Sequence, residues 1–224
     1  MATKLIISYD GTNNEEDALA LGRLFAAAGS QVALAYVRHS IEHERELSAD
    51  IPQAQAEQLL AKGAELYGDP GVERHVVDDR STPAGLLALS GQISAQGVVF
   101  CSDSHTALGR VSIGNSARWL LEGGPLAVAI APAGLYDHAP KRLEQVACFG
   151  AEPDPAAVAT AQALAAASGA AVVPRCEGPS ALVIFSSRPE ARPGTVAPSA
   201  AAEAALEESR AAVLVLPRAV SLFT

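Results

Sequence analysis

Aromatic residues are scarce in this chain: they make up 4% of its 224 residues, whereas apolar residues make up 49%. A core with so few rings must be filled mainly by Ala, Val, Leu and Ile, which is typical of Ala-rich helices packed on Val- and Ile-rich strands. A long apolar run is also lacking, because the run at residues 4–9 is too short for a signal peptide or a membrane span. These absences predict a soluble, cytoplasmic α/β protein.

Positive charge and cysteine are scarce as well. The chain has 16 Lys and Arg against 25 Asp and Glu, a net charge of -9, which disfavours binding to nucleic acid or to anionic membranes. The three cysteines, Cys101, Cys148 and Cys176, form no Cys-x-x-Cys pair, so we expect buried, reduced thiols and no disulfide or zinc site. No nucleophile elbow or Walker motif is present, and we expect no catalytic residue.

Apolar runs alternate with helical patterns along the first part of the chain. Strands are predicted at residues 4–9, 31–37, 72–77, 98–101 and 126–131, and residues 41–67 have a charged, helical pattern with a break near Pro52. Strands that alternate with helices predict a parallel sheet with right-handed crossovers.

The pattern restarts after a polar linker at residues 133–143. A sequence offset of 85 relates Phe100 to Phe185, whereas an offset of 140 relates the first strands and pairs Asp10 with Gly150. Because the offset falls by 55 (140 − 85), the second part reads as a copy of the first without its middle helix-strand-helix block. We therefore predict a complete domain at residues 1–135, the first half, and a truncated domain at residues 136–224, the second half.

The segment VVFCSDSHTALGRVSIGNSARWLLEGGPLAVAIAP, residues 98–132, carries the strongest functional signal. It combines a strand, a loop of small residues and the helix opener Gly114-Asn115-Ser116, the parts from which α/β folds build anion sites. Asp10 ends the first strand at the same predicted edge of the sheet. Two alternatives stay open: Asp10 caps the following helix, and Asn115 and Ser116 form an ordinary helix cap.

These segments, together with KLIISYDG, ALAYVRH and Ser81-Thr82-Pro83, resemble the universal stress protein family. The likeness is good over positions 1–135 and weak over the rest. It implies two flavodoxin-like, Rossmann-like α/β domains, the first with a five-stranded parallel sheet in the order 3-2-1-4-5. It also implies pairing through the last strands, either in a homodimer or between two domains of one chain.

The resemblance further implies an adenine-nucleotide site. ATP-binding members of the family carry Gly-x2-Gly-x9-Gly-Ser/Thr after the fourth strand, and this chain keeps only the last glycine. A Cβ at the first two positions restricts how closely the backbone can approach a phosphate. The acid of the first strand and the adenine-contacting valine of the second are both present. The predicted site comprises Asp10, Val37, Cys101, Ser104, Gly114, Asn115 and Ser116.

Two functions follow from this pattern. The first is a universal-stress-type module that binds or senses ATP or AMP in the stress response, with no metal except Mg²⁺ carried by the nucleotide. The second is a nucleotide-free protein that acts through dimerisation or partner binding. In the second half, Gly150 occupies the position that aligns with Asp10, and Pro189 occupies the position that aligns with Ser104. The proline removes a backbone amide donor, so we expect no nucleotide in the second half.

Overall fold

A computed structural model of the chain describes residues 2–12, 14–43, 46–49 and 51–223, with the backbone alone described at residues 40–43 and 46–49. Its strands are β1 (Lys4–Ser8), β2 (Gln31–His43), β3 (Glu46–Ala49), β4 (Glu73–Asp79), β5 (Gly97–Cys101), β6 (Ala127–Ala131), β7 (Gln145–Cys148), β8 (Ala171–Val172), β9 (Ala181–Ser186) and β10 (Ala212–Leu216). Its helices are α1 (Glu15–Ala27), α2 (Gln53–Tyr67), α3 (Thr82–Ile93), α4 (Asn115–Leu121), α5 (Leu135–His138), α6 (Pro155–Ser168) and α7 (Ala200–Glu208). No helix in this described part of the chain is both long and apolar enough to cross a membrane.

The ten described strands form one sheet. Its order is β3-β2-β1-β5-β6-β10-β9-β7-β8, and β4 pairs with β2. Strands β4, β2, β1, β5 and β6 pair in this order and run parallel to one another, which confirms the predicted α/β fold and the order 3-2-1-4-5 for the first half. The crossover helices lie on both faces of this sheet, so consecutive residues of a strand are buried, as in Leu5, Ile6 and Ile7 of β1.

The two halves of the sheet meet at β6 and β10. These last strands are antiparallel, and Ala129 lies opposite Leu214. We call this pairing the seam. We expect an exposed last strand to be covered either by the other half or by a second subunit, and the structure shows the first of these, because β6 and β10 each cover the edge of the other.

The repeat relation is visible in the strand register. Leu5 of β1 lies opposite Gly97 of β5, and Val146 of β7 lies opposite Leu182 of β9. Gly97 and Leu182 have the predicted offset of 85, but the offset between Leu5 and Val146 is 141. The predicted offset of 140 is therefore wrong by one. The counterpart of Asp10 is Ala151, which also lacks a carboxylate.

The region between residues 41 and 52 differs from the sequence prediction. Instead of beginning a helix at residue 41, the chain extends β2 to His43 and returns as β3, with Ser40 opposite Ala49. Helix α2 begins at Gln53, and Pro52 is its N-cap residue. A proline disfavours the helical conformation of the residue before it, so the charged pattern upstream of Pro52 cannot join the helix.

Candidate functional site

A cavity of about 320 Å³ lies between the carboxyl end of β5 and the beginning of α4. Ligands of open α/β sheets bind at such strand ends. The predicted residues Cys101, Ser104, Gly114, Asn115 and Ser116 line the cavity, whereas Asp10 and Val37 do not. Its other lining residues are Thr12, Phe100, Ser102, Asp103 and Ala117.

The loop at residues 102–114 forms one wall of the cavity, and the Ser102 hydroxyl fixes its path. Ser102 is 1% exposed, donates to the Ala131 carbonyl at 2.7 Å and accepts from the Ser112 N–H at 3.1 Å. The Gly109 N–H donates to the Ala133 carbonyl at 2.8 Å. These bonds fasten the loop to the end of β6 and give the cavity a defined wall.

The same hydrogen bonds recur in the second half. The Ser187 hydroxyl donates to the Leu216 carbonyl at 2.7 Å and accepts from the Ala197 N–H at 3.0 Å. Each of these three residues has the sequence offset of 85 from its counterpart, although Pro189 replaces Ser104 between them. The loop scaffold therefore does not depend on Ser104, which the second half lacks.

Glu15 is a buried carboxyl that the sequence reasoning missed. Its side chain belongs to the first turn of α1 and is 7% exposed. Oε2 accepts from the Asp10 N–H at 2.7 Å, and the Cys101 thiol donates to Oε1 at 3.6 Å. Glu15 thus lies between the ends of β1 and β5, where the strand order reverses. The sequence shows the acidic run Glu15-Glu16-Asp17, which is also typical of an ordinary helix start.

Burial, followed by the charges of neighbouring acids, determines the electrostatics around Glu15. Burial, with a contribution from the charge of Asp10, raises the pKa of Glu15 to about 8. Burial and the neighbouring Glu15 raise the pKa of the Cys101 thiol well above its usual range. Burial, followed by the charge of Glu15, raises the pKa of Tyr9 to about 12. Cys101 is therefore a protonated hydrogen-bond donor at neutral pH.

Asp10 and Val37 lie near the cavity but not on its lining. The Asp10 carboxylate is exposed and accepts from the Thr12 N–H at 2.9 Å, which makes a local turn and does not cap the helix. Val37 is 6% exposed and packs in the core under α3, where a Cβ on Gly85 would lie 2.8 Å from it. Asp10 therefore lies outside the cavity lining, and Val37 supports the sheet under α3.

The beginning of α4 contains the three predicted opener residues. Gly114 is the N-cap residue, and no side chain caps the helix, so the alternative of an Asn or Ser cap is not what the structure shows. Asn115 and Ser116 begin the helix itself, which has seven residues. A Cβ on Gly114 would meet no atom within 4 Å. The first turn of α4 thus faces an open space without a side-chain cap.

A second cavity, of about 550 Å³, lies in the second half. Ala147, Phe149, Val183 and Phe185 line it, and the two phenyl rings stack with centroids 4.8 Å apart. Its charged lining residues are Arg175, Glu177, Glu208 and Arg210. By the register above, Ala147 corresponds to Ile6, whose face of the sheet is covered by α3 in the first half. The missing helix-strand-helix block in the sequence is the signal from which this uncovered face could be predicted.

The described residues contain no group of three or more His, Cys, Asp or Glu side chains placed to hold a metal ion. The cysteines among them are free thiols.

Comparison with solved structures shows which proteins share the fold of this chain. No protein-family model matches the sequence, and no curated protein is similar to it in sequence. A putative universal stress protein from Pseudomonas aeruginosa is 12% identical over 96% of this chain and 93% of its own, with a TM-score of 0.63. A universal stress protein from Archaeoglobus fulgidus is 13% identical over 96% of this chain and 98% of its own, with a TM-score of 0.66. The resemblance seen in the sequence is confirmed for the fold.

Proposed function

We propose that this chain, which has the fold of universal stress proteins, is a cytoplasmic stress-response module that binds or senses an adenine nucleotide, ATP or AMP. The 320 Å³ cavity at the carboxyl end of β5 carries the proposal, because five of the seven predicted site residues line it. Its volume is at the lower end of ligand sites, which span about 300–1,000 Å³. The proposal includes a complete domain at residues 1–135 and a truncated one at 136–224.

Five residues of the site have a direct role in this proposal. Ser104, Asn115 and Ser116 supply hydroxyl and amide groups for phosphate or ribose oxygens. Gly114 leaves space for close approach of the ligand, since its Cβ position is open. Asp10, exposed at the end of β1, accepts from a ribose hydroxyl. Any Mg²⁺ arrives with the nucleotide.

The proposal does not include catalysis. The thiol that lines the cavity, Cys101, is a poor nucleophile because its pKa is raised by burial and by Glu15. Asp103 is the carboxylate among the described lining residues, and no second carboxylate or histidine lines the cavity beside it to complete an acid–base pair. The expected activity is binding without turnover.

Calorimetric titration of the nucleotide-stripped protein with ATP and AMP tests the proposal. Gly114→Glu adds bulk and negative charge at the open face of the cavity, and Gly114→Ala adds a methyl group that meets no atom within 4 Å. We expect micromolar binding in the wild type and the Ala variant, and loss of binding in the Glu variant. Absence of heat from the folded wild-type protein at near-millimolar ligand would overturn the proposal.

A second candidate function is partner binding without a nucleotide. The 550 Å³ cavity favours it, because the equivalent face in the first half is covered by helix α3. The occupant that fits is an amphipathic helix of a partner protein, with charges of both signs around its apolar stripe. A synthetic peptide of residues 81–95, which contains α3 and has no charged side chain, serves as the probe for the apolar part of this surface. Binding that Val183→Lys removes would support this function.

A further inference from the structure

The charges around the first cavity suggest which adenine ligand it prefers; this inference rests on the proposed function. Among the described residues that line the cavity, Asp103 is the charged one, and it is an acid. The loop also contains two basic residues. Arg110 donates to the Glu208 carbonyl across the seam at 2.9 Å, and His105 is exposed and does not belong to the lining. A phosphate in this cavity therefore has no basic side chain of the described lining to balance its charge.

Further acids lie behind the lining. Asp10 follows the neighbouring strand β1, two residues after its end. Glu15 lies 3.6 Å from the Cys101 sulfur but keeps its proton at neutral pH, so it adds no charge there. Asp17, on the same helix, accepts from the Gly134 and Tyr136 N–H groups. Arg23, the basic residue of α1, donates to the Leu66 carbonyl and so binds away from the cavity. Each further phosphate of a ligand would add negative charge to an environment that is already negative.

Asp103 is held at the rim by its own backbone. Its carbonyl accepts from the Asn14 side-chain amide at 3.0 Å and from the Thr106 N–H at 2.9 Å. Its carboxylate accepts from the Ser104 hydroxyl at 3.4 Å, a weak bond that a ligand can replace. An exposed carboxylate on this held backbone can accept from ribose hydroxyls, and it repels phosphate oxygens.

We propose that this cavity selects adenine ligands by phosphate charge, binds adenosine and AMP in preference to ATP, and uses Asp103 as the discriminating residue. The selection requires no large conformational change, because it follows from the fixed charges of the site. It turns the proposed nucleotide module into one that responds to nucleotides with few phosphates.

Calorimetry with adenosine, AMP and ATP, in low salt and without divalent cations, tests this selection. We expect AMP to bind the wild-type protein about tenfold more tightly than ATP, since exposed charges a few ångströms apart interact weakly but measurably. Asp103→Asn keeps an oxygen that accepts from a ribose hydroxyl but loses the charge, so it decreases the preference for AMP over ATP by about threefold or more. The matched control Glu152→Gln removes an exposed acid of the second half and leaves the ratio as in the wild type. A higher ionic strength screens these charges, so the preference for AMP over ATP should decrease.

The outcomes separate the two proposals. Binding of ATP as tight as that of AMP and adenosine overturns the selection and leaves the nucleotide module intact. The role of Asp103 is overturned if neither Asp103→Asn nor a second variant, Asp103→Ser, changes the ratio of AMP affinity to ATP affinity. No binding of any of the three ligands overturns the module and, with it, this inference.

Discussion

Ser102 and Ser187 occupy equivalent positions in the two halves of the chain and make the same two hydrogen bonds with their hydroxyl groups. Each donates to the carbonyl at the end of the last strand of its half and accepts from a backbone N–H further along its own loop. Both side chains are buried. The two loops thus share a scaffold although one lines a cavity of polar residues and the other carries prolines.

Removal of either hydroxyl is expected to destabilise the protein. Ser102→Ala and Ser187→Ala each leave buried backbone groups without a partner, which costs about 1–3 kcal/mol. Urea unfolding followed by circular dichroism measures the change. Ser104→Ala is the control, because this exposed hydroxyl makes one weak bond. If both variants lose clearly less than about 1 kcal/mol of unfolding free energy, the scaffold role is contradicted.

Glu15 is expected to make stability depend on pH. The unfolded chain releases the Glu15 proton near its ordinary pKa of 4.5, whereas the folded state keeps the proton up to about pH 8. The folded state binds more protons in this window, so stability falls as the pH rises from about 4.5 to about 8. Glu15→Gln keeps a carbonyl for the Asp10 N–H and loses the charge. Its free energy of unfolding should fall less steeply and exceed the wild-type value above pH 8.

Glu16→Gln is the matched control for this prediction, because Glu16 is the exposed neighbour on the same helical turn. It should leave the pH dependence unchanged. Burial also raises the pKa of Asp17, so part of the decrease persists in the Glu15→Gln protein. Identical pH profiles for the wild type and Glu15→Gln would show that Glu15 is ionised in the folded state at neutral pH.

The seam is expected to protect its strands in a single chain. Amide hydrogens of β6 and β10 should exchange slowly, because the paired strands are buried, whereas the exposed strand β8 should exchange fast. The same sample should have the mass of one chain, 22.9 kDa, by light scattering. Fast exchange in β6 and β10 of the monomer would contradict the seam.

Replacement of two glycines outside the site by alanine is expected to change the stability of the protein in opposite directions. A Cβ on Gly97 would lie 2.9 Å from the Ala127 carbonyl oxygen of β6, which cannot move without disturbing the sheet. Gly97→Ala should therefore cost about 1–3 kcal/mol. Gly91→Ala, on the exposed side of α3 with no atom within 4 Å, should gain up to about 1 kcal/mol. Thermal unfolding of the two variants compares them directly.

The family resemblance was sufficient for the strand order of the first half and for half of the cavity lining, five of its ten residues. The positions of Ser104 and Gly114 in the site were predicted from the spacing of the family's glycine motif along one loop. Glu15 could not be found in this way, since its burial depends on the distance between β1 and β5. The β2–β3 hairpin was missed because charged residues 41–50 have the composition of a solvated helix. The second cavity could be predicted only from the helix-strand-helix block that the second half lacks, because no residue pattern at the cavity itself marks it.

The antiparallel seam has a consequence for how this protein responds to its own concentration. When such edges pair between separate chains, the assembly obeys mass action and dissociates on dilution. Here both edges belong to one chain and are joined by the covalent backbone, so their effective concentration is fixed by the linker. The continuous sheet should therefore persist at any expression level, from a few copies per cell to abundance.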